Sequence, residues 1–212
     1  MIAAISLIKR RPDIDLAAFR KHWLDPHGVL TARLPGTSHY VQSHFVDGPA
    51  TNDVARQLAL DGMPQLWFAD YEARRRAYTS PEIALCNVDS EAFIGAVTRL
   101  VTTPVDVTSA MDGESCAKAV LLAQGRPDRS WSERMRDSAV ACQGVIAYRS
   151  HDIIEQASAP NSRIPELSLP VAGLAEISCR NPSQLLAALA RMCSPEDSAR
   201  TAIYTAEDIR LI

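Results

Sequence analysis

Glycine is scarce: nine in 212 residues. They form no G-x-G-x-x-G and no P-loop, so the usual phosphate cradles of dinucleotide and nucleotide sites are missing. No G-x-S-x-G occurs, which removes the hydrolase nucleophile elbow. The five cysteines include no C-x-x-C pair, against a zinc ribbon or thioredoxin-like chemistry. Odd in number and widely spaced, they read as reduced, mostly buried thiols of a cytoplasmic protein. No apolar run approaches the roughly 20 residues of a membrane span. The apolar opening, Met1 to Ile8, lacks a basic flank and a cleavage site, and reads as a buried strand. Lysine is also rare, three against nineteen arginines, and the net charge is −3. Arg74-Arg75-Arg76 forms a short basic run, and an exposed helix face accounts for it. Nucleic acid and membrane are therefore not expected as partners. With 47% hydrophobic and 22% charged residues, the chain has the composition of a globular protein.

Hydrophobic periodicity divides the chain. Ile2 to Arg10 predicts a strand, ended by Arg11-Pro12-Asp13. Asp13 or Asp15 then caps a helix in which Leu16, Phe19 and Trp23 form one buried face. Pro26 stops that helix near Leu24 or Asp25, and a short helical piece covers Gly28 to Leu34. Ser38 to Asp47 reads as a strand, Gly48 to Gly62 as a mobile loop, and Pro64 to Ala69 as a strand. Asp70 caps a helix from Tyr71 to Tyr78. Ser80-Pro81-Glu82 opens another through Leu85, and Asp89 to Ala96 reads as a further helical stretch. The β-branched run Arg99 to Val107 closes the unit.

The same β-α-β-β-α-β order then recurs. Arg126-Pro127-Asp128 follows the strand Ala117 to Gln124 as Arg11-Pro12-Asp13 follows the first strand, at an offset of 115 residues. Helix Trp131 to Cys142, strand Gly144 to Ile154, a Ser/Pro-rich loop Glu155 to Leu169, strand Val171 to Ser178, a helix from Pro182 through Met192, and strand Ala202 to Leu211 complete the copy. The expectation is an α+β chain of two tandem ferredoxin-like modules, residues 1–110 and 115–212, with a linker near Thr108 to Ser115. A ferredoxin-like sheet carries helices on one face only, so the second copy has to cover the other. An intrachain pseudo-dimer follows, with the two sheets facing each other or closing toward a barrel, and a further homo-oligomer is compatible with it.

Four of the five histidines, His22, His27, His39 and His44, fall in the first module, and the second has only His151. The polar site is therefore expected in the first module. Several segments there resemble the EthD family: Arg20-Lys21-His22-Trp23-Leu24-Asp25-Pro26-His27-Gly28-Val29-Leu30, then Ala32-Arg33-Leu34-Pro35-Gly36, then Tyr40-Val41-Gln42-Ser43-His44. The opening Ile5 to Pro12, Leu66-Trp67-Phe68-Ala69-Asp70 and Ser80-Pro81-Glu82 resemble it too. The likeness spans about residues 1 to 105. It implies a dimeric α+β barrel fold, and a range of chemistries. The family takes its name from a protein associated with an oxidative ether-degradation system, and fungal relatives look like decarboxylases or dehydratases of aromatic polyketides. Related barrels include lactone isomerases, cofactor-free monooxygenases and haem proteins.

The residues narrow that range. His27 follows the break at Pro26, where an imidazole can face a pocket and exchange a proton near neutral pH. Tyr40, Gln42 and His44 share one strand face by the period of two, the less apolar one. His27 is assigned as general base or acid. His44 is its partner or an oxyanion donor. Asp25 would orient a histidine, Tyr40 would donate to a phenolate or carbonyl, and Trp23, Trp67 and Tyr40 would supply flat walls. His22 completes the candidate set, with a half-buried surface position as its plainer reading. The spacing of five between His22 and His27, and between His39 and His44, suits neither helical nor strand ligand pairs, so no metal is expected. The reading is cofactor-independent lyase or isomerase chemistry (dehydration, decarboxylation or isomerisation) on a hydrophobic, aromatic or polycyclic metabolite. The rivals are a non-catalytic binding or accessory protein of an oxidative degradation or biosynthetic pathway, and a structural pseudo-dimer with a vestigial site.

Overall fold

The structure is a computed structural model that describes residues 1–108, 116–126, 128–157 and 162–212. Strand β1 (Ile2–Arg10) leads into helix α1 (Leu16–His22), a wide turn (Trp23–His27) and the short helix α2 (Gly28–Thr31). Then come β2 (Thr37–Val46), α3 (Asp53–Leu58), β3 (Gly62–Phe68), α4 (Tyr71–Ala77), α5 (Pro81–Ser90) and β4 (Ile94–Thr108). The second half comprises β5 (Ala117–Gln124), α6 (Arg129–Ala141), β6 (Val145–Ala157), β7 (Val171–Cys179), α7 (Pro182–Met192), α8 (Pro195–Arg200) and β8 (Thr201–Arg210).

Short polar side chains start the helices. Asp15, Asn52, Asp70, Ser80, Asp128, Asn181 and Ser194 each accept a hydrogen bond from the backbone N–H three residues on, and so satisfy a donor the helix leaves open. Proline at the start of α5, α7 and α8 costs nothing, because its missing N–H would have no helical partner there.

The eight strands form a closed antiparallel barrel in the order β1-β3-β2-β8-β5-β7-β6-β4. Within the first half β1 pairs with β3 and β4, and β2 with β3. Within the second, β5 pairs with β7 and β8, and β6 with β7. The halves join along two seams, β2–β8 and β4–β6. Closure pairs each of the eight strands on both sides.

Strand alternation divides the core. Ala3, Ile5, Leu7, Leu100, Val120, Leu122, Leu174 and Tyr204 fill the barrel, while separate clusters lie under the helices of each half. In each half a tryptophan packs on a glycine of the sheet: Trp23 on Gly62 of β3, and Trp131 on Gly173 of β7. A side chain at either glycine would occupy the space of the indole.

A belt of polar side chains crosses the barrel. Lys118 Nζ donates to Glu176 Oε2 and to Asp208 Oδ2, each at 2.5 Å. Gln65 donates to Glu176 at 3.0 Å, and Ser43 to Asp208 at 2.7 Å. His151 lies 2.8 Å from Glu176 and 3.1 Å from Thr102. Seven of the eight strands contribute one residue each. Burial opposes the charges of Lys118 and Glu176, but their mutual attraction outweighs it, raising the lysine pKa and holding the glutamate well below its usual range.

Several expectations need correction. The stretch Gly48 to Gly62 contains α3, capped by Asn52 and held by the Tyr204 hydroxyl donating to the Ala55 carbonyl at 3.1 Å. Ala55 and Leu60 are buried, so it is packed structure rather than a free loop. Helix α5 runs unbroken to Ser90, and Ile94 already belongs to β4, where a helical stretch Asp89 to Ala96 was expected. Leu16 is exposed, leaving Phe19 and Trp23 as the buried face of α1 and its turn. The expected linker lies, apart from Thr108, outside the described residues.

Replacing Lys118 with Met would leave Glu176 and half-exposed Asp208 without their counter-charge. We expect a loss of roughly 3–5 kcal/mol in urea unfolding, part of it recovered when Glu176→Gln is added. A loss below about 1 kcal/mol would show that water reaches the belt.

Candidate functional site

The site is built on the break between α1 and α2. Asp25 leaves helical geometry (φ −149°, ψ 118°), the Asp25–Pro26 peptide is cis, and the chain re-enters the helix at Gly28. This wide turn brings two histidines five residues apart to one carboxylate. His27 Nδ1 lies 2.8 Å from Asp89 Oδ2, and His22 Nε2 lies 3.0 Å from Asp89 Oδ1. Both rings pack on Phe93, with centroids 4.8 and 4.9 Å away. Asp89 sits in the last turn of α5, on the same face as Cys86 and Ser90.

A carboxylate only accepts, so His27 carries its proton on Nδ1 and donates it to Asp89. The opposite nitrogen, Nε2, is then an acceptor, 3.1 Å from the Thr31 hydroxyl. His27 is buried. Burial lowers its pKa, and the hydrogen bond to Asp89 opposes that without reversing it, so the ring is neutral and basic at pH 7.

His27 and Thr31 line a cavity of about 100 Å³ between the helices and the outer face of β1, β3 and β4. Trp23, Tyr40, Leu66 and Leu34 supply apolar wall, and Cys86, Asn87, Ser90, Arg74 and Arg99 reach it from the other side. Burial pushes the Tyr40 phenol up to about 12, so it stays protonated. Its hydroxyl accepts from Gln42 Nε2 at 2.8 Å.

His44 lies outside this cavity. Its ring stacks on Trp23 (4.3 Å, 19°), and Nε2 donates to Gln42 Oε1 at 3.0 Å. Gln42 in turn donates to the Trp23 carbonyl at 2.8 Å. His44 thus supports Trp23 and, through Gln42, Tyr40. Burial, and then Arg20, lower its pKa to about 4.

Of the residues expected from the sequence, the cavity gathers His27, Tyr40 and Trp23, and His22 joins through Asp89. Trp67 faces the barrel interior under the Arg149 guanidinium, 4.4 Å away. Asp25 is exposed on the turn, and the carboxylate at the histidines is Asp89. Sequence reading missed Asp89, Thr31, Cys86, Arg74 and Arg99. Extending the helix from its Ser80 cap would have placed Cys86, Asp89 and Ser90 on one face.

A larger cavity, about 240 Å³, lies at the start of α6 and is lined by Asp128, Arg129, Ser132 and His151. Both ring nitrogens of His151 are already engaged by Glu176 and Thr102, so it offers no free base. Among the described residues no group of three or more His, Cys, Asp or Glu side chains is arranged to hold a metal ion. No helix among them is long and apolar enough to cross a membrane.

The family model for the EthD domain matches residues 11–96, the stretch that holds His22, His27 and Asp89. That stretch is an EthD domain. No curated protein matches the chain in sequence. Solved structures match nearly all of it in shape. An anthrone oxidase-like protein superposes with a TM-score of 0.62 at 9% identity, over 99% of this chain and 93% of that one. A candidate monooxygenase from Fusobacterium nucleatum gives 0.58 at 6% identity, over 98% and 91%. A variant chlorite dismutase from Candidatus Nitrospira defluvii gives 0.52 at 8% identity, over 97% and 91%. At these identities the likeness concerns the fold alone, an α+β chain closed into an eight-stranded antiparallel barrel.

The buried histidines set a pH limit. The His44 pKa is about 4 in the folded protein against 6.5 free, so the unfolded chain takes up the proton first as pH falls. Stability from this group is complete above about pH 6.5 and declines toward pH 4. The decline is about 2 kcal/mol between pH 7 and 5. His27, also lowered, adds in the same direction. His44→Phe keeps the ring on Trp23, and we expect it to lose less stability over that interval than the wild type. Equal losses in urea melts at the two pH values would refute the assignment.

Proposed function

We propose that the EthD domain carries out acid–base chemistry of the lyase or isomerase type on a hydrophobic metabolite. The observation that carries this is the Asp89–His27 pair, with Nε2 of His27 directed at the cavity side and held by Thr31. His27 takes a proton from an activated carbon or hydroxyl on Nε2 and returns it to the product. Asp89 fixes the ring and stabilises the imidazolium that forms. Tyr40 remains a neutral phenol, and its proton is available to a developing oxyanion. Trp23 supplies the flat wall.

The volume limits the substrate. About 100 Å³ is less than the roughly 150 Å³ of an engineered cavity that holds benzene. A single ring or a short chain is the natural occupant, and a polycycle requires the walls to part. The proposed reaction uses the chain's own acid and base groups and draws on no cofactor. The protein partner of the EthD domain is, in this reading, the second half of its own chain. The repeated pairing order and the paired Trp-on-Gly contacts support two ferredoxin-like modules, 1–110 and 115–212, in a pseudo-dimer. A cytoplasmic setting suits the free cysteines.

The rival, a binding or accessory protein for such a metabolite in an oxidative or biosynthetic pathway, draws support from one feature: Nε2 of His27 is already engaged by the Thr31 hydroxyl. The two readings differ in proton exchange. Small aromatic ketones, phenols and lactones would be incubated with the protein in deuterated water and followed by NMR. We expect catalysed exchange at an activated C–H, falling about 100-fold or more in His27→Ala and Asp89→Asn and much less in His44→Phe. Binding without exchange, unaffected by His27→Ala, would favour the carrier.

A further inference from the structure

Two arginines meet the same cavity with donors unmet. Arg74 comes from α4 and Arg99 from β4, and both line it. Arg74 Nε and Arg99 Nη1 are buried and have no hydrogen-bond partner among the described residues. The Arg74 guanidinium lies over the rings of Tyr78 at 4.5 Å and Tyr71 at 5.7 Å, a contact that holds the group without using its N–H donors. Arg99 donates through Nη2 to Ser162 at 3.1 Å, which fixes the plane and leaves Nη1 directed elsewhere. Tyr78 lines the cavity together with both arginines, and Glu166 adds one negative influence on Arg99.

A buried guanidinium N–H without an acceptor is destabilising, and such a group in a native fold calls for an explanation. Neither arginine is explained by the proton chemistry of His27. Two unmet N–H donors on two cations match the two oxygens of one planar monoanion. A phosphate carries more charge and more oxygens than the two unmet donors can satisfy.

We infer that the Arg74–Arg99 end of the cavity binds an organic carboxylate, and that the substrate class of the EthD domain is a small hydrophobic acid. This rests on the reading of the cavity as the functional site. The carboxylate would anchor the molecule at the arginines while its apolar body spans toward Trp23 and His27.

Titration calorimetry on the full chain would compare butyrate and benzoate with butyramide and benzamide, and with inorganic phosphate. Both acids should bind at least tenfold more tightly than their neutral amides. Arg99→Gln and Arg74→Gln should each remove most of that preference and leave the amides unchanged. The wild-type comparison needs no variant, so a variant that fails to fold does not spoil the test. Equal affinity for acid and amide, no binding of either, or tighter binding of phosphate would overturn the carboxylate site. His27→Ala separates the two proposals. It should keep acid binding within about threefold while abolishing proton exchange. Exchange that survives in His27→Ala would sink the acid–base reading and leave the anion site standing.

Discussion

The indole of Trp23 lies so close to Gly62 that a methyl group there would meet the ring at 2.5 Å, and the ring also stacks on His44. Most of the site depends on this seat. The ring begins the wide turn that carries His27, and its carbonyl holds Gln42, which orients Tyr40. With no side chain on Gly62, the indole packs directly against the β3 backbone. That contact fixes how far the turn stands from the barrel, and hence where Nε2 of His27 points. Trp131 on Gly173 repeats the contact in the second half, so the seat is a device of the fold. What is peculiar to the first half is the chain that leaves it.

The barrel imposes the second constraint. Each half presents an inner face that is apolar except for a few side chains, and those few meet across the axis. Ser43, Gln65 and Thr102 from the first half are paired with Asp208, Glu176 and His151 from the second. A slip of one residue at either seam would turn these groups toward the helices and leave Lys118 among apolar side chains. The belt therefore specifies register more than it adds stability, since a buried ion pair gains little over a well-packed apolar one. This is a cost accepted at the barrel centre and absent from the clusters beneath the helices.

Local signals made much of the architecture readable. β1 and β5 run between the residues that the hydrophobic pattern marks, and Asp70 caps α4 as its position before the helix suggests. The two modules were legible as a repeated order of elements, because periods of 2 and 3.6 leave different traces. Long-range geometry left none. Tyr40 and Trp67 both read as wall residues, yet Trp67 pairs in register with His39 and so faces the interior, opposite Tyr40. Only the strand register, fixed by closure, decides that. Asp89 was hidden for a different reason. Val88 stands alone among polar Asn87, Asp89 and Ser90, so the helix looks finished at Leu85, although its cap at Ser80 and the Cys86–Ser90 bond carry it further.

The uneven distribution of histidines has a structural counterpart. In the second half, α6 runs thirteen residues without a break, so its side chains keep ordinary helical spacing and no pair five apart can meet one acid. In the first half the break at Asp25 creates that meeting and opens the space that becomes the cavity. The second half closes this space. Ile164 lines the cavity, Ser162 holds Arg99, and Val97 of β4 is bonded to Pro165 and Leu167 on the same segment. The Ser/Pro-rich loop that looked like a counterpart of the Gly48 to Gly62 stretch therefore serves the opposite half. A module with an unbroken helix has no site of its own to protect, and its loop is free to complete its neighbour's. The division of labour between the halves follows from that single break in α1.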